Sequence, residues 1–142
     1  MKNAELAYRM SLLFDQEITA YYRNSYRGDY GKVQIDVLGY LYEHPSVRAS
    51  AICDFLGIPK QHVSKILKRF EEEGLVESRP DPEDGRANLV VLTETGRSMV
   101  SSHIKESDLH FEAFTASLSR EDYHALISSM ESIVHILEKN KG

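Results

Sequence analysis

The sequence predicts a mostly α-helical fold interrupted by one small β-hairpin, and three observations carry that prediction. Apolar residues recur at spacings of three and four through most of the chain, and Gly and Pro punctuate the rhythm. Between Gly74 and Thr93 the rhythm gives way once, to two short extended runs around a turn-rich stretch. With 142 residues, no internal repeat and no long linker, the chain is expected to form one unit with a core of its own.

Leu6, Met10, Leu13, Phe14, Ile18 and Tyr21 form the stripe of a first helix over residues 5–23. A break of glycine and aspartate at 28–31 follows, and Val33, Val37, Leu38 and Leu41 resume the spacing until His44-Pro45 stops it. Val47-Arg48-Ala49 reads as a short extended piece. Ile52, Cys53, Phe55 and Leu56, and then Val63, Ile66, Leu67 and Phe70, mark two short helices on either side of Gly57. Gly74 ends the second, and residues 75–79 and 88–92 read as strands joined by the turn formers of 80–85. Thr93 is placed to cap a helix carrying Met99, Val100, Ile104, Phe111 and Phe114. Ser119 with Asp122 resembles a capping box for a last helix carrying Leu126, Ile127, Met130, Ile133, Val134 and Leu137.

Apolar residues at 42% and charged residues at 27% are ordinary for a soluble globular chain. Glu5, Arg9 and Asp15 interrupt the N-terminal stretch before any apolar run reaches signal-peptide or membrane-spanning length, so a cytoplasmic protein without a membrane partner is expected. Cys53 is the single cysteine, which excludes an intramolecular disulfide and a cysteine-based zinc site within one chain. The formal net charge of −5 counts against a nucleic-acid partner, because phosphate binding is driven by Lys and Arg displacing counterions. Screening limits the reach of distant charges to about 10 Å, however, so the local arrangement of cations decides the matter.

A helix-turn-helix corner is specified between Ile52 and Ile66 by small Cys53, Gly57 four residues on, and β-branched Val63 six after that. The small side chain lets two helices approach, glycine takes the left-handed conformation at the corner, and Val63 fills the angle between them. On the second helix, starting near Pro59, the apolar stripe turns Gln61, Lys65 and Lys68 outward, flanked by Lys60, His62, Ser64 and Arg69. Such a face fits a DNA major groove: Gln pairs with adenine, Lys with guanine, His62 can reach a base edge, and Ser64 and Arg69 can hold phosphates. A polar outer face is also what any solvated helix shows, so the hairpin discriminates. At its tip Asp84 is expected to aim Arg86 by a salt bridge into the adjacent minor groove, with Arg79 in support. The expected architecture is a mostly α winged helix-turn-helix flanked by N- and C-terminal helices.

Leu56-Gly57-Ile58, Val63-Ser64, Glu72-Glu73-Gly74-Leu75-Val76, Arg79, Asp81-Pro82, Asp84-Gly85-Arg86 and Leu92-Thr93-Glu94-Thr95-Gly96 together resemble the multiple-antibiotic-resistance regulator (MarR) family. These motifs lie within residues 47–97, and the flanking helices are similar to that family's in number and order. The resemblance implies a single domain over residues 1–142, with a DNA-binding lobe at about 32–97 and dimerisation helices at about 1–27 and 98–142. It implies a transcription regulator, typically a repressor, whose homodimer reads two half-sites of a pseudo-palindromic double-stranded operator one helical turn apart. It also implies release by a small aromatic or phenolic effector bound between the dimerisation helices and the lobe. Two residues depart from the family pattern: Pro59 stands where Ser is frequent, and Arg48 where a capping Ser or Thr is common. Pro suits a first helical turn, whereas Arg48 leaves its helix start poorly specified.

Tyr8, Tyr21, Tyr22, Tyr26, Tyr30, Tyr40 and Tyr42 crowd the first third of the chain, where the family's pocket would be walled. Tyr21, Tyr22 and Tyr40 are the candidate effector contacts; the alternative is that these rings pack a dimer interface. Cys53 sits at the small-residue position of the corner and is expected to pack as a small hydrophobe rather than act as a thiol sensor. His103, Glu106 and His110 recur at i, i+3 and i+7 on one helix and His44 follows the second, so a zinc-responsive regulator is a further reading, although the spacing is no established ligand signature. No cofactor is expected, and no phosphate loop, nucleophile elbow or acid–base constellation points to an enzyme. The remaining rival is a winged helix used as a protein-interaction module without specific DNA binding, against which the basic outward face and Arg86 argue.

Overall fold

The computed structural model describes residues 2–20 and 29–141, which divide into two compact units: residues 1–18 with 108–142, and residues 19–107. The helices are α1 (Asn3–Phe14), α2 (Lys32–Glu43), α3 (Ala49–Leu56), α4 (Lys60–Glu72), α5 (Glu94–Thr115) and α6 (Arg120–Lys139). Strands β1 (Val76–Pro80) and β2 (Asn88–Leu92) form an antiparallel ribbon with Val76 opposite Leu92 and Pro80 opposite Asn88. Helical secondary structure with one hairpin wing, as the spacing predicts, is the observed fold.

The unit of residues 19–107 is built around the expected corner. The Gly31 N–H donates to Gln34 Oε1 at 2.9 Å, which starts α2, and His44 takes an extended conformation and stops it. Gly57 ends α3 in the left-handed region, at φ 66°, and its N–H reaches the Cys53 carbonyl at 2.8 Å. Pro59 then takes the N-cap of α4, and its carbonyl accepts from the His62 and Val63 amides. Gly74, also left-handed at φ 76°, closes α4 while the Leu75 N–H bonds to the Phe70 carbonyl at 2.8 Å. Val37, Leu38, Leu41, Ile52, Val63 and Phe70 are wholly removed from solvent, and Leu75, Val76, Val90, Leu92 and Val100 extend the same core under the ribbon. Burying side chains of this size stabilises by roughly 1.5–3 kcal/mol each, which fixes the corner against the ribbon.

Two features knit the hairpin to the helices. Val47, in the extended piece before α3, bridges Val90 through both backbone groups at 3.3 and 2.7 Å, so the ribbon has a one-residue third partner. Thr93 works in three directions: its hydroxyl donates to the Gly74 carbonyl at 2.6 Å and accepts the Gly96 amide at 3.0 Å, and its N–H reaches the Leu75 carbonyl. This is the expected cap of α5, and it also ties the exit of β2 to the end of α4.

The other unit contains α1, the C-terminal part of α5 and α6. Ser119 Oγ accepts the Asp122 amide at 3.0 Å, which is the cap expected for α6. The first helix begins at Asn3, and after Phe14 its winding changes to a π-helical stretch, Asp15–Thr19. Tyr21, Tyr22, Arg23 and Tyr26, part of the predicted first helix and its aromatic cluster, lie outside the described residues. Neither α1 nor α6 buries a residue, and Leu6, Tyr8, Leu13, Leu109, Val134 and Leu137 are exposed. Among the described residues no helix is long and apolar enough to cross a membrane.

Candidate nucleic-acid interface

The inward stripe of α4 determines its outward face. Val63, Ile66 and Phe70 are buried and Leu67 half-buried, and this leaves Lys60, Gln61, His62, Ser64, Lys65 and Lys68 exposed on the rest of the helix. Three lysines and three further hydrogen-bonding side chains therefore stand on a helix whose opposite side is locked into the core.

Arg69 does not join them. Its guanidinium is half-buried, with Nε donating to Glu73 at 2.7 Å, Nη1 to Gln34 Oε1 at 3.1 Å and Nη2 to the Asp29 carbonyl at 2.9 Å. It also lies 4.6 Å from the centroid of the Tyr30 ring. Tyr30 in turn donates to Glu73 at 2.5 Å, and burial together with that carboxylate pushes its hydroxyl up to about 12. The phosphate role read for Arg69 from the sequence is thus corrected: all three guanidinium nitrogens are engaged in holding the end of α4 to the head of α2. Helical spacing alone places a residue one step off the apolar stripe at the boundary between core and solvent, and two of the partners that draw it inward, Gln34 and Asp29, lie 35 and 40 residues away.

The wing departs from expectation in a similar way. No ion pair joins Asp84 to Arg86; the Asp84 carboxylate instead accepts the Arg86 backbone N–H at 3.1 Å, an Asx turn that shapes the tip. The guanidinium of Arg86 is exposed and has no ion pair among the described residues. Arg79 is exposed and pairs with Glu77 on its own strand. The ion pair that does organise the wing comes from Arg48, the residue at the N-cap of α3. Its Nε and Nη2 both reach Asp81 Oδ2, at 3.0 and 2.7 Å, and Nη2 lies 3.9 Å from Asp84.

Asp81 is buried, accepts the Glu83 amide at 2.9 Å, and donates its own N–H to the Ala87 carbonyl at 3.0 Å. The Glu83 amide and then the Arg48 guanidinium hold its carboxyl below the usual carboxylate range. In the sequence the two partners stood apart, Arg48 where a capping Ser or Thr is common and Asp81-Pro82 among the motifs of the resemblance.

A cleft of about 640 Å³ opens within the same unit between α2, α3 and the first half of α5. Tyr40, one of the candidate effector residues, lines it together with Tyr42, Phe55, Asp36, Glu43 and His103. Tyr40 is stacked on His44 at 4.1 Å and tilted against Phe55 at 4.6 Å. The His44 ring Nδ1 donates to the Tyr40 carbonyl at 3.0 Å. Phe55, which sequence reading assigned only to the apolar stripe of α3, is exposed and turned to this cleft. His103 is buried, and that burial lowers its pKa against the weaker opposing pull of Glu106. Glu106 and His110 are exposed, and among the described residues no three His, Cys, Asp or Glu side chains come together as a metal site. Cys53 is half-buried against the core, at the corner where a small side chain was expected.

Comparison with known proteins places this geometry. The MarR family model matches residues 30–87. Among curated proteins, the uncharacterized HTH-type transcriptional regulator YdgJ of Bacillus subtilis is 32% identical over 94 residues, covering 66% of this chain and 57% of YdgJ. The HTH-type transcriptional repressor IacR of Pseudomonas putida is 32% identical over 76 residues, 54% of this chain and 46% of IacR. The matched part of the chain thus spans about half the length of these relatives. Among solved structures, apo wild-type MarR from E. coli is similar over 94% of this chain and 97% of its own, with a TM-score of 0.74 at 19% identity, which is a likeness of fold.

Proposed function

We propose that the chain is a winged helix-turn-helix DNA-binding regulator of the MarR family, a repressor which binds a pseudo-palindromic operator as a homodimer and is released by a small-molecule effector; the match to the family model over residues 30–87 and the likeness to YdgJ and to the MarR fold support this reading. The outward face of α4 is the observation that carries the DNA reading. Lys60, Gln61, His62, Ser64, Lys65 and Lys68 are all exposed on a helix anchored from behind, and the unpaired Arg86 guanidinium stands at the wing tip among the described residues. Major-groove contacts come from the first set and a minor-groove contact from Arg86, with Asp84 shaping the tip and Arg79 flanking it.

Association of two copies is supported by the exposed apolar side chains of α1, α5 and α6, a surface that a monomer would leave in water. Repression is the role that IacR's name gives to that relative, and it enters this reading by similarity. The cleft beside Tyr40 supports an effector site, because it is concave, largely apolar and edged by a few polar groups.

Retardation of an upstream promoter fragment by the purified chain tests the reading. Binding at low salt that fades steeply as salt rises is the expected result. Arg86→Ala, Lys65→Ala and Lys68→Ala are each expected to weaken binding by about tenfold while dimer and helix content stay unchanged. Unchanged binding in all three variants, or no retardation at low salt, would favour a protein-interaction module.

A further inference from the structure

We infer that the cleft between α2, α3 and α5 takes a lipophilic organic cation, an aromatic ammonium or phosphonium, in preference to an aromatic acid. This inference rests on the reading of the cleft as the effector site. The first argument is the charge of the lining. Asp36 and Glu43 both border the cleft, and among the described residues that line it there is no Lys or Arg. Asp36 is held by Lys32 at 2.9 Å in a surface i, i+4 pair, an arrangement of little net strength. Glu43 is exposed and has no ion pair among the described residues. A bound carboxylate would meet two like charges on the lining and no cation there, whereas a bound cation would meet two carboxylates on the lining, with the cations Lys32 and Arg97 outside it.

The second argument is the aromatic wall. Phe55 is 45% exposed and lies beside Tyr40, so a ring is presented to whatever enters. Tyr42 already carries a cation, the Arg97 guanidinium, 5.0 Å from its ring centroid, and Arg97 itself is not part of the lining. Rings with carboxylates at the rim form the usual recognition chemistry for a bulky, weakly hydrated cation. His103 adds no positive charge at neutral pH, since burial lowers its pKa.

Thermal shift of the purified full chain with tetraphenylphosphonium, benzyltrimethylammonium and benzoate, at one ionic strength, tests this. Both cations are expected to raise the melting temperature, with benzoate giving no shift. Titration calorimetry is expected to show the cations binding about tenfold more weakly to Glu43→Gln and to Asp36→Asn, both surface substitutions that leave the core intact. Phe55→Leu, which keeps the apolar volume but removes the ring, is expected to weaken them as well. Stabilisation by benzoate and not by the cations would overturn the inference while leaving the cleft as an effector site, with Arg97 then the partner to examine. Cation binding that is equal in the wild type and all three variants would overturn it by moving the site elsewhere. No stabilisation by any of the three probes would overturn both the inference and the effector reading on which it stands.

Discussion

A methyl group built onto Gly96 would lie 2.1 Å from the Leu75 carbonyl oxygen and 3.1 Å from a Leu92 methyl. The nearer obstacle is backbone, so it cannot rotate aside. Gly96→Ala is therefore expected to destabilise the chain by about 1–3 kcal/mol even though alanine is the better helix former. Urea denaturation of the two proteins measures this directly, and equal midpoints would show that the start of α5 can move. The sequence displayed Gly96 only as part of a motif; the reason for glycine is a contact with a segment on the far side of the hairpin. Arg69 and Arg86 make the same point for the candidate interface. In sequence both are arginines at polar positions, and only the location of Glu73, Gln34 and the Asp29 carbonyl makes one a structural clamp and leaves the other available. What the sequence does express at this scale is whatever depends on local spacing: Gly57 at the corner, Val63 in the angle, and Thr93 and Ser119 at their caps.

Among the elements, the wing owes its posture to a side chain outside it. Arg48 belongs to the start of α3, yet its guanidinium holds Asp81, whose side chain is only 9% exposed, and so links the base of the hairpin tip to the helix-turn-helix. Removing either partner leaves a charge or a buried acceptor without its complement and frees the tip that carries Arg86. Arg48→Ala and Asp81→Asn are each expected to lower operator affinity by about tenfold, with the double variant no weaker than the worse single one. Fluorescence anisotropy with one operator duplex at fixed salt closes that cycle, and additive losses would mean that the two residues act separately. The pair is robust to acid: a carboxyl held below its unfolded pKa contributes stability above that value and loses it only as pH falls through the folded one. Element order and most boundaries followed from apolar period and punctuation, because both act within a few residues. The ribbon is displaced by one residue on its first strand, to Val76–Pro80, since register is fixed by the partner strand and by Val47, neither of which is local.

Across the whole molecule, a net charge of −5 coexists with a basic helix face because the two are properties of different lengths. Formal charge sums every residue, whereas a phosphate responds to cations within about 10 Å. The exposed apolar residues of α1 and α6 were readable as amphipathic stripes, but not as surfaces still open after the chain has folded, since period does not say what covers a face. The Val47–Val90 bridge carries a further implication, for time rather than shape. A ribbon of two short strands is marginal by itself, and its third partner precedes the entire helix-turn-helix, so loop-closure entropy opposes that contact until the intervening helices have docked. The wing should then form on the downhill side of the folding barrier. Val90→Ala is expected to speed unfolding in stopped-flow urea jumps with little change in refolding rate, while Ile66→Ala slows refolding; a slowed refolding limb for Val90→Ala would put the wing in the nucleus. On this route the hairpin tip that carries Arg86 is the last part to set and the first to loosen, which makes it the natural entry point for proteolysis.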